Sequence, residues 1–322
     1  MAYNVIEKAP YGTEDVKSRA DAVIREINRV IVGKDELIRD IFIALLAEGN
    51  VMLEGVPGVA KTTIAKVFAQ SIDLDFKRVQ FLPDILPSDL IGTSIYDQRS
   101  SSFEVHRGPI FTNILLVDEI NRASPKIQSA LLEAMEEKQV SIEGTTYKLP
   151  YPFIVITTQN PIDIMGTFPL PEAQIDRFMF KLDVEYPTFE EEFNILKVKN
   201  EENGYSINKI LDRESVTGLI KSVKNVHVDD KILYYIRDIV MASRINDKLL
   251  LGASPRASIA FLKASKAIAL LDGRDYVIPD DIKYLAPKVL SHRLILKPEY
   301  EMDKHGTHEV IDEILNSVKV PE

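Results

Sequence analysis

A short apolar stretch that runs into Gly55-Val56-Pro57-Gly58-Val59-Ala60-Lys61-Thr62 and then into a helix constrains this chain more than any other segment. The run Asn50-Val51-Met52-Leu53-Glu54 suits a buried strand, and the residues from Thr62 to Ser71 place Ile64, Val67, Phe68 and Ser71 at helical spacing. A loop set this way turns backbone N–H groups toward a polyphosphate, at a helix N-terminus whose dipole favours anions. Lys61 would reach the β and γ phosphates, and the Thr62 hydroxyl would ligate Mg²⁺. One position departs from the pattern G-x-x-x-x-G-K-[ST], because Ala60 stands where a glycine usually precedes the lysine. A methyl group there is tolerable only with a negative φ, so a negative φ is expected at residue 60. On these residues alone, a glycine-rich strand-to-helix turn that binds nothing stays open.

A chain of 322 residues is long for one core, and two domains are expected. With 45% hydrophobic and 27% charged residues, the composition is that of an ordinary globular protein. The net charge of −10 divides unevenly, with 19 Lys+Arg against 27 Asp+Glu in residues 1–187 and 20 against 22 in residues 188–322. Neither part is a basic nucleic-acid binder by net charge. The absence of cysteine removes disulfides and thiolate metal sites. The N-terminus Met1-Ala2-Tyr3-Asn4-Val5-Ile6-Glu7 lacks the basic and apolar regions of a signal peptide. No apolar run approaches the roughly 18 residues of a membrane span, so a cytoplasmic protein is expected.

Residues 14–30 read as an amphipathic helix with Val16, Ala20, Val23, Ile24, Ile27 and Val30 on one stripe, and a second helix covers about 34–47. Four apolar runs follow the loop strand: Lys77–Phe81, Asn113–Val117, Phe153–Thr158 and Phe178–Val184. With helices between most of them, this predicts a three-layer α/β domain with a mainly parallel sheet. After Pro187 helical periodicity takes over, including 229–246, 255–271, 279–291 and 307–317. A boundary near 187–190 therefore separates an α/β domain (1–188) from an all-helical one (189–322). Residues 95–111 and 139–150 read as β-hairpins, each equally compatible with surface decoration.

Asp118-Glu119 ends the apolar run Asn113-Ile114-Leu115-Leu116-Val117, at the carboxyl edge where α/β sheets bind ligands. Asp118 would hold the Mg²⁺ shell, and Glu119 would act on the attacking water as base. The bland alternative is a polar strand end leading to the helix 125–138, which Ser124-Pro125 would start. Asn160 follows another apolar strand, where its amide suits a nucleophilic water or a γ-phosphate; Asn160-Pro161 equally suits a turn. Arg177 ends a short helix, where the dipole favours a cation. Arg256 opposes the dipole in the first turn after Ser254-Pro255, which an anionic ligand would explain. His305-Gly306-Thr307-His308-Glu309 lacks the order and the single helical face of a zinc motif.

Taken together, these motifs resemble the AAA+ ATPases, and among them the MoxR family. The matching stretches are Gly55–Thr62 (Walker A), Leu115–Ala123 (Walker B), Thr158-Gln159-Asn160-Pro161 (sensor 1), Leu170–Phe178 (arginine-finger segment) and Gly252-Ala253-Ser254-Pro255-Arg256 (sensor 2). Alanine before the lysine is a familiar variant in that family. The resemblance covers residues 15–320 and implies a sheet of order 5-1-4-3-2, a helical lid, and ATP with Mg²⁺ in the cleft between them. It implies nucleotide contacts from Val32, Gly33, Gly55, Val56, Pro57, Gly58, Val59, Ala60, Lys61, Thr62, Thr63 and Arg256, and metal contacts from Thr62 and Asp118. Lys61, Glu119, Asn160 and Arg177 form the implied catalytic set, with Arg177 reaching the γ-phosphate of a neighbouring subunit in a ring, a hexamer. The two hairpins resemble the helix-2 and pre-sensor-1 inserts. The implied function is an ATP-hydrolysing, chaperone-like motor acting on a protein client, one with a von Willebrand factor A domain. A slow nucleotide-dependent switch and a magnesium-chelatase-like motor subunit are the alternatives. A DNA motor would want basic hairpin tips, and only Arg99 and Lys148 are offered.

Overall fold

The computed structural model describes residues 11–99, 101–160, 167–200, 206–302 and 306–321. The expectation about Met1–Glu7 lies outside them. The chain opens with α1 (Thr13–Asn28) and α2 (Asp35–Leu46), then β1 (Val51–Glu54), the glycine-containing loop and α3 (Lys61–Ser71). Val16, Ala20, Val23 and Ile27 are the buried stripe of α1, and Ile64, Val67, Phe68 and Ser71 are fully buried on α3. Next come β2 (Phe76–Gln80), α4 (Pro87–Ile91), a hairpin of β3 (Gly92–Asp97) and β4 (Ser102–Arg107), and β5 (Ile114–Asp118). A 3₁₀ turn (Ile120–Arg122) leads to α5 (Pro125–Glu137), where Pro125 occupies a first-turn position that needs no N–H donor. A second hairpin, β6 (Gln139–Ile142) and β7 (Thr145–Lys148), precedes β8 (Ile154–Gln159), α6 (Glu172–Ile175) and β9 (Phe180–Asp183).

β1, β2, β5, β8 and β9 form one parallel sheet in the order β2-β5-β8-β1-β9. Counted as five strands in chain order this is 2-3-4-1-5, which read from the other edge is the expected 5-1-4-3-2. Every residue of β5 is buried, as a central strand covered on both faces requires. Edge strand β2 buries far less of itself. Successive strand residues feed two cores: Val51, Leu53, Ile114, Leu116, Ile154 and Ile156 on one face, Met52, Leu115, Val117 and Val155 on the other with α5. The β3–β4 hairpin begins three residues before the expected 95 and stops at Arg107, because six pairs from Gly92↔Arg107 to Asp97↔Ser102 complete it. Phe111 N–H then bonds Gly108 O in a turn toward β5.

Helices follow: α7 (Phe189–Asn200), α8 (Arg213–Lys224) and α9 (Asp230–Ile245), then after β10 (Leu249–Leu251) come α10 (Pro255–Leu271) and α11 (Pro279–Leu290). β11 (Ile295–Leu296), α12 (Pro298–Met302) and α13 (Thr307–Ser317) close the chain. Side-chain N-caps fix the starts of α8 (Asp212), α9 (Asp229) and α10 (Ser254). The small antiparallel β10–β11 sheet departs from the all-helical expectation. The apolar core of the first sheet face continues from α1 and α2 into Val216, Ile239, Phe261, Leu285 and Ile311 of these helices. Among the described residues no helix is long and apolar enough to cross a membrane.

Candidate functional site

Gly55 leaves β1 with its N–H bonded to Gln159 O at 3.3 Å. A Cβ there would stand 2.4 Å from Val184 O, so only glycine lets the backbone of β9's exit pass this closely. Gly58 follows with φ +88°. Ala60 has φ 62° and ψ 17°, in the left-handed region, and this corrects the expectation of a negative φ. The loop must reverse into α3 so that Ile64 N–H can bond Ala60 O at 2.9 Å, and the alanine accepts local strain to allow it. Val59 is buried and Val56 packs on the core, which anchors the loop from below.

Pro57, Gly58, Ala60, Lys61, Thr62 and Thr63 line a cleft of about 380 Å³ with Asp118, Glu119, Thr158 and Asn160, plus Arg78 and Gln80. Asn160 is thus brought to the loop, while Pro161 lies outside the described residues. Lys61 Nζ donates to Gly55 O. Burial holds its pKa below the ordinary lysine value, against the opposing pull of Asp118, Glu119 and Glu54. An anion bound beside it would favour the charged form.

Asp118 is nearly buried and gathers three partners. Thr158 Oγ1 donates to Oδ1 at 3.1 Å, Thr62 Oγ1 lies 3.4 Å from Oδ2, and Arg78 Nε lies 2.5 Å from Oδ2. Glu119 also has a left-handed backbone (φ 59°), which turns its N–H onto Thr158 Oγ1 at 3.1 Å. Its Oε2 lies 3.0 Å from Arg122 Nε. A hydroxyl and a carboxylate this close suit a small hard cation that takes few protein oxygens and keeps water or phosphate for the rest, as Mg²⁺ does. Sequence reasoning missed Arg78, Gln80 and Thr158. The signal was present in part: Arg78 and Gln80 alternate on one face of β2, opposite Leu116 and Asp118.

Gly33 has φ +70° and lines a second cavity of about 370 Å³, with Val184 and Glu185 at the carboxyl end of β9 and Lys288 of α11. Val32 is half-buried beside it, and Lys34 Nζ donates to Glu185 O at 3.1 Å. In this region Lys288 Nζ pairs with both Asp40 (2.8 Å) and Glu36 (2.6 Å), and Tyr284 OH donates to Asp40 at 2.8 Å. Burial raises the Asp40 pKa above the ordinary carboxylate value, against the pull of Lys288.

Arg177 and Arg256 are not brought to the loop of their own chain. Both pair with one carboxylate, Glu136 of α5, at 3.3 Å and 2.5 Å. With Asn50, Lys138 and Met179 they line a cavity of about 380 Å³ at the amino ends of β1 and β9. The four residues of β1, roughly 13 Å of strand, separate that edge from Gly55. The expectation that Arg256 joins the nucleotide cleft of its own chain is therefore corrected. The anion that its place in the first turn of α10 demanded is supplied by Glu136. His308 lies 3.8 Å from Asp183, and His305 is outside the described residues.

Residues 50–180 match the ATPase family associated with various cellular activities (AAA), and residues 241–314 match the AAA lid domain. The Chaperone MoxR1 of Mycobacterium tuberculosis is 42% identical, over 98% of this chain and 87% of its own length. The chain belongs to the MoxR family of AAA+ ATPases. The YeaC protein of Bacillus subtilis is 49% identical, over 96% of this chain and 97% of its own. A crystal structure of a Cytophaga hutchinsonii protein superposes with a TM-score of 0.91 at 42% identity, covering 96% of this chain and 97% of that one. Membership accounts for the sheet order and for the pairing of an α/β unit with a helical lid.

Proposed function

We propose that this MoxR-type protein hydrolyses ATP in a ring of identical subunits, a hexamer, and uses the cycle to remodel or activate a protein client. The reading takes 1–188 as the nucleotide-binding domain and 189–322 as the lid, acting in the cytoplasm. One observation carries it: Lys61, Thr62, Asp118, Glu119 and Asn160, from three separate segments, converge on one cleft at the carboxyl edge of the sheet. Backbone N–H groups of the loop and Lys61 hold the β and γ phosphates, while Val32 and Gly33 flank the base. Thr62 and Asp118 would hold Mg²⁺, which neutralises phosphate charge when bound. Asn160 orients the attacking water, and Glu119 takes its proton once the carboxylate leaves Arg122. Arg177, on the far edge of its own sheet, is suited to the nucleotide of a neighbour, where an arginine finger contributes about 10³–10⁵ in rate. The clients favoured by resemblance carry von Willebrand factor A domains.

Replacing Glu119 by Gln tests the chemistry. The variant is expected to retain ATP while turnover falls by about 10²–10⁴, the usual contribution of a positioned base. Turnover at the unmodified rate would remove Glu119 from its role. A slower, switch-like cycle is the second reading. It is favoured by the pairing of Glu119 with Arg122 and of Asp118 with Arg78, both of which must be broken before chemistry.

A further inference from the structure

Arg293, just beyond α11, is almost completely buried. Its guanidinium directs most of its donors to the finger segment. Nε reaches Asp176 Oδ1 at 2.8 Å, Nη2 reaches Asp176 O at 3.0 Å and Phe178 O at 2.6 Å, and Nη1 reaches Met179 O at 3.2 Å and Val289 O. The residues on both sides of Arg177 are therefore fastened to the lid by one planar fork. The adjoining His292 adds a contact, with Nε2 3.1 Å from Phe178 O. The second oxygen of Asp176 accepts from Ser254 Oγ at 2.8 Å, and that same hydroxyl caps α10 by accepting from Arg256 N–H at 3.0 Å. α6, just before Arg177, has no fully buried residue, and Ile175 alone of its side chains packs on the core.

We propose that Arg293, Asp176 and Ser254 are positioning residues that bind the finger segment and the start of α10 into one rigid block, so that Arg177 and Arg256 are presented together to a neighbouring subunit. The inference rests on the reading of Arg177 as a finger acting in trans. It adds that lid and finger move as a unit: a lid displaced by its own nucleotide carries both arginines with it. Fixed geometry matters because a misplacement of about 1 Å can cost about 10² in rate. A planar guanidinium bonded to several carbonyls sets orientation as well as distance.

The test compares turnover against protein concentration, binding of a fluorescent ATP analogue, and thermal stability. Ser254→Ala removes the link to Asp176 together with the cap, and Ser254→Thr restores a hydroxyl for both. Asp229→Ala is the control, since it removes the equivalent cap of α9, where Asp229 accepts from Lys231 N–H, far from the finger. Each alanine is expected to lower the melting temperature by a similar amount through its lost cap. Ser254→Ala alone is expected to lose at least about tenfold in turnover at saturating protein. It should approach Arg177→Ala while binding the analogue normally, and Ser254→Thr should recover most of the loss. Arg293→Lys, which keeps the charge but loses the fork, is the second probe and should fall the same way. Wild-type turnover in Ser254→Ala and Arg293→Lys beside a defective Arg177→Ala overturns the coupling, as does an equal loss in Asp229→Ala. A silent Arg177→Ala instead overturns the trans finger itself, and the coupling with it.

Discussion

Glu136 holds two arginines that the proposed cycle needs elsewhere, and Glu136→Gln measures that restraint. The pairs with Arg177 and Arg256 are partly exposed: the side chains are 32% and 39% accessible against 43% for Glu136. Pairs this wet contribute about 0.2–1 kcal/mol each after solvent screening and side-chain entropy. Only the Arg177 contact must break for the finger to reach a neighbour's phosphate. Releasing about 0.2–1 kcal/mol before the chemical step raises the competent fraction about 1.4- to fivefold, since 1.4 kcal/mol is a factor of ten. Glu136→Gln is therefore expected to raise turnover about 1.4- to fivefold in the assembled protein, with melting temperature and analogue affinity nearly unchanged. Steady-state phosphate release across protein concentration, with Arg177→Ala in parallel, makes the comparison. A fall to the Arg177→Ala rate would refute the reasoning, because Glu136 would then position the finger instead of restraining it.

Lys288→Met should leave Asp40 buried with only the Tyr284 hydroxyl, and lose about 3 kcal/mol of stability as broken buried pairs do. The Asp40 pKa is already raised by burial, and losing Lys288 raises it further. A carboxyl with a raised folded pKa gains stability as pH falls through that value, so the deficit should shrink on acidification, as denaturant melts at neutral and acid pH will show. The double variant Asp40→Asn/Lys288→Met should recover at least half of the loss. Ala60→Gly relieves a left-handed alanine, worth about 1–2 kcal/mol, against about 0.4–1 kcal/mol of added unfolded-state entropy. It should melt at the same temperature or slightly higher, and a loss beyond about 1 kcal/mol would contradict the observed φ.

Local pattern made the loop, β5 with Asp118-Glu119, and the helices legible, because each is a period of apolar residues closed by a turn or cap. Helix α10 shows this at residue level, with Ser254 at its N-cap and Pro255 in its first turn. The sheet order followed from resemblance, since periodicity says which runs are strands and not which lie side by side. Arg78 and Thr158 escaped for that reason: they reach Asp118 through register between strands about forty residues apart in sequence. Arg256 was half legible. The helix dipole said that an anion must be near, but no local rule points to Glu136, 120 residues away. At Ala60 a side-chain steric rule lost to the loop's need to enter α3. β10 and β11 span three and two residues, too short for any alternation to register.

The central claim is that each site is completed by a neighbour's Arg177, and mixing two inactive variants tests it directly. Glu119→Gln keeps its finger and lacks the base; Arg177→Ala keeps the base and lacks the finger. Each alone should be nearly inactive, and the mixture should regain turnover, because Glu119→Gln subunits complete the sites of Arg177→Ala neighbours. Co-assembly without any recovered turnover, at every mixing ratio, would contradict the shared site.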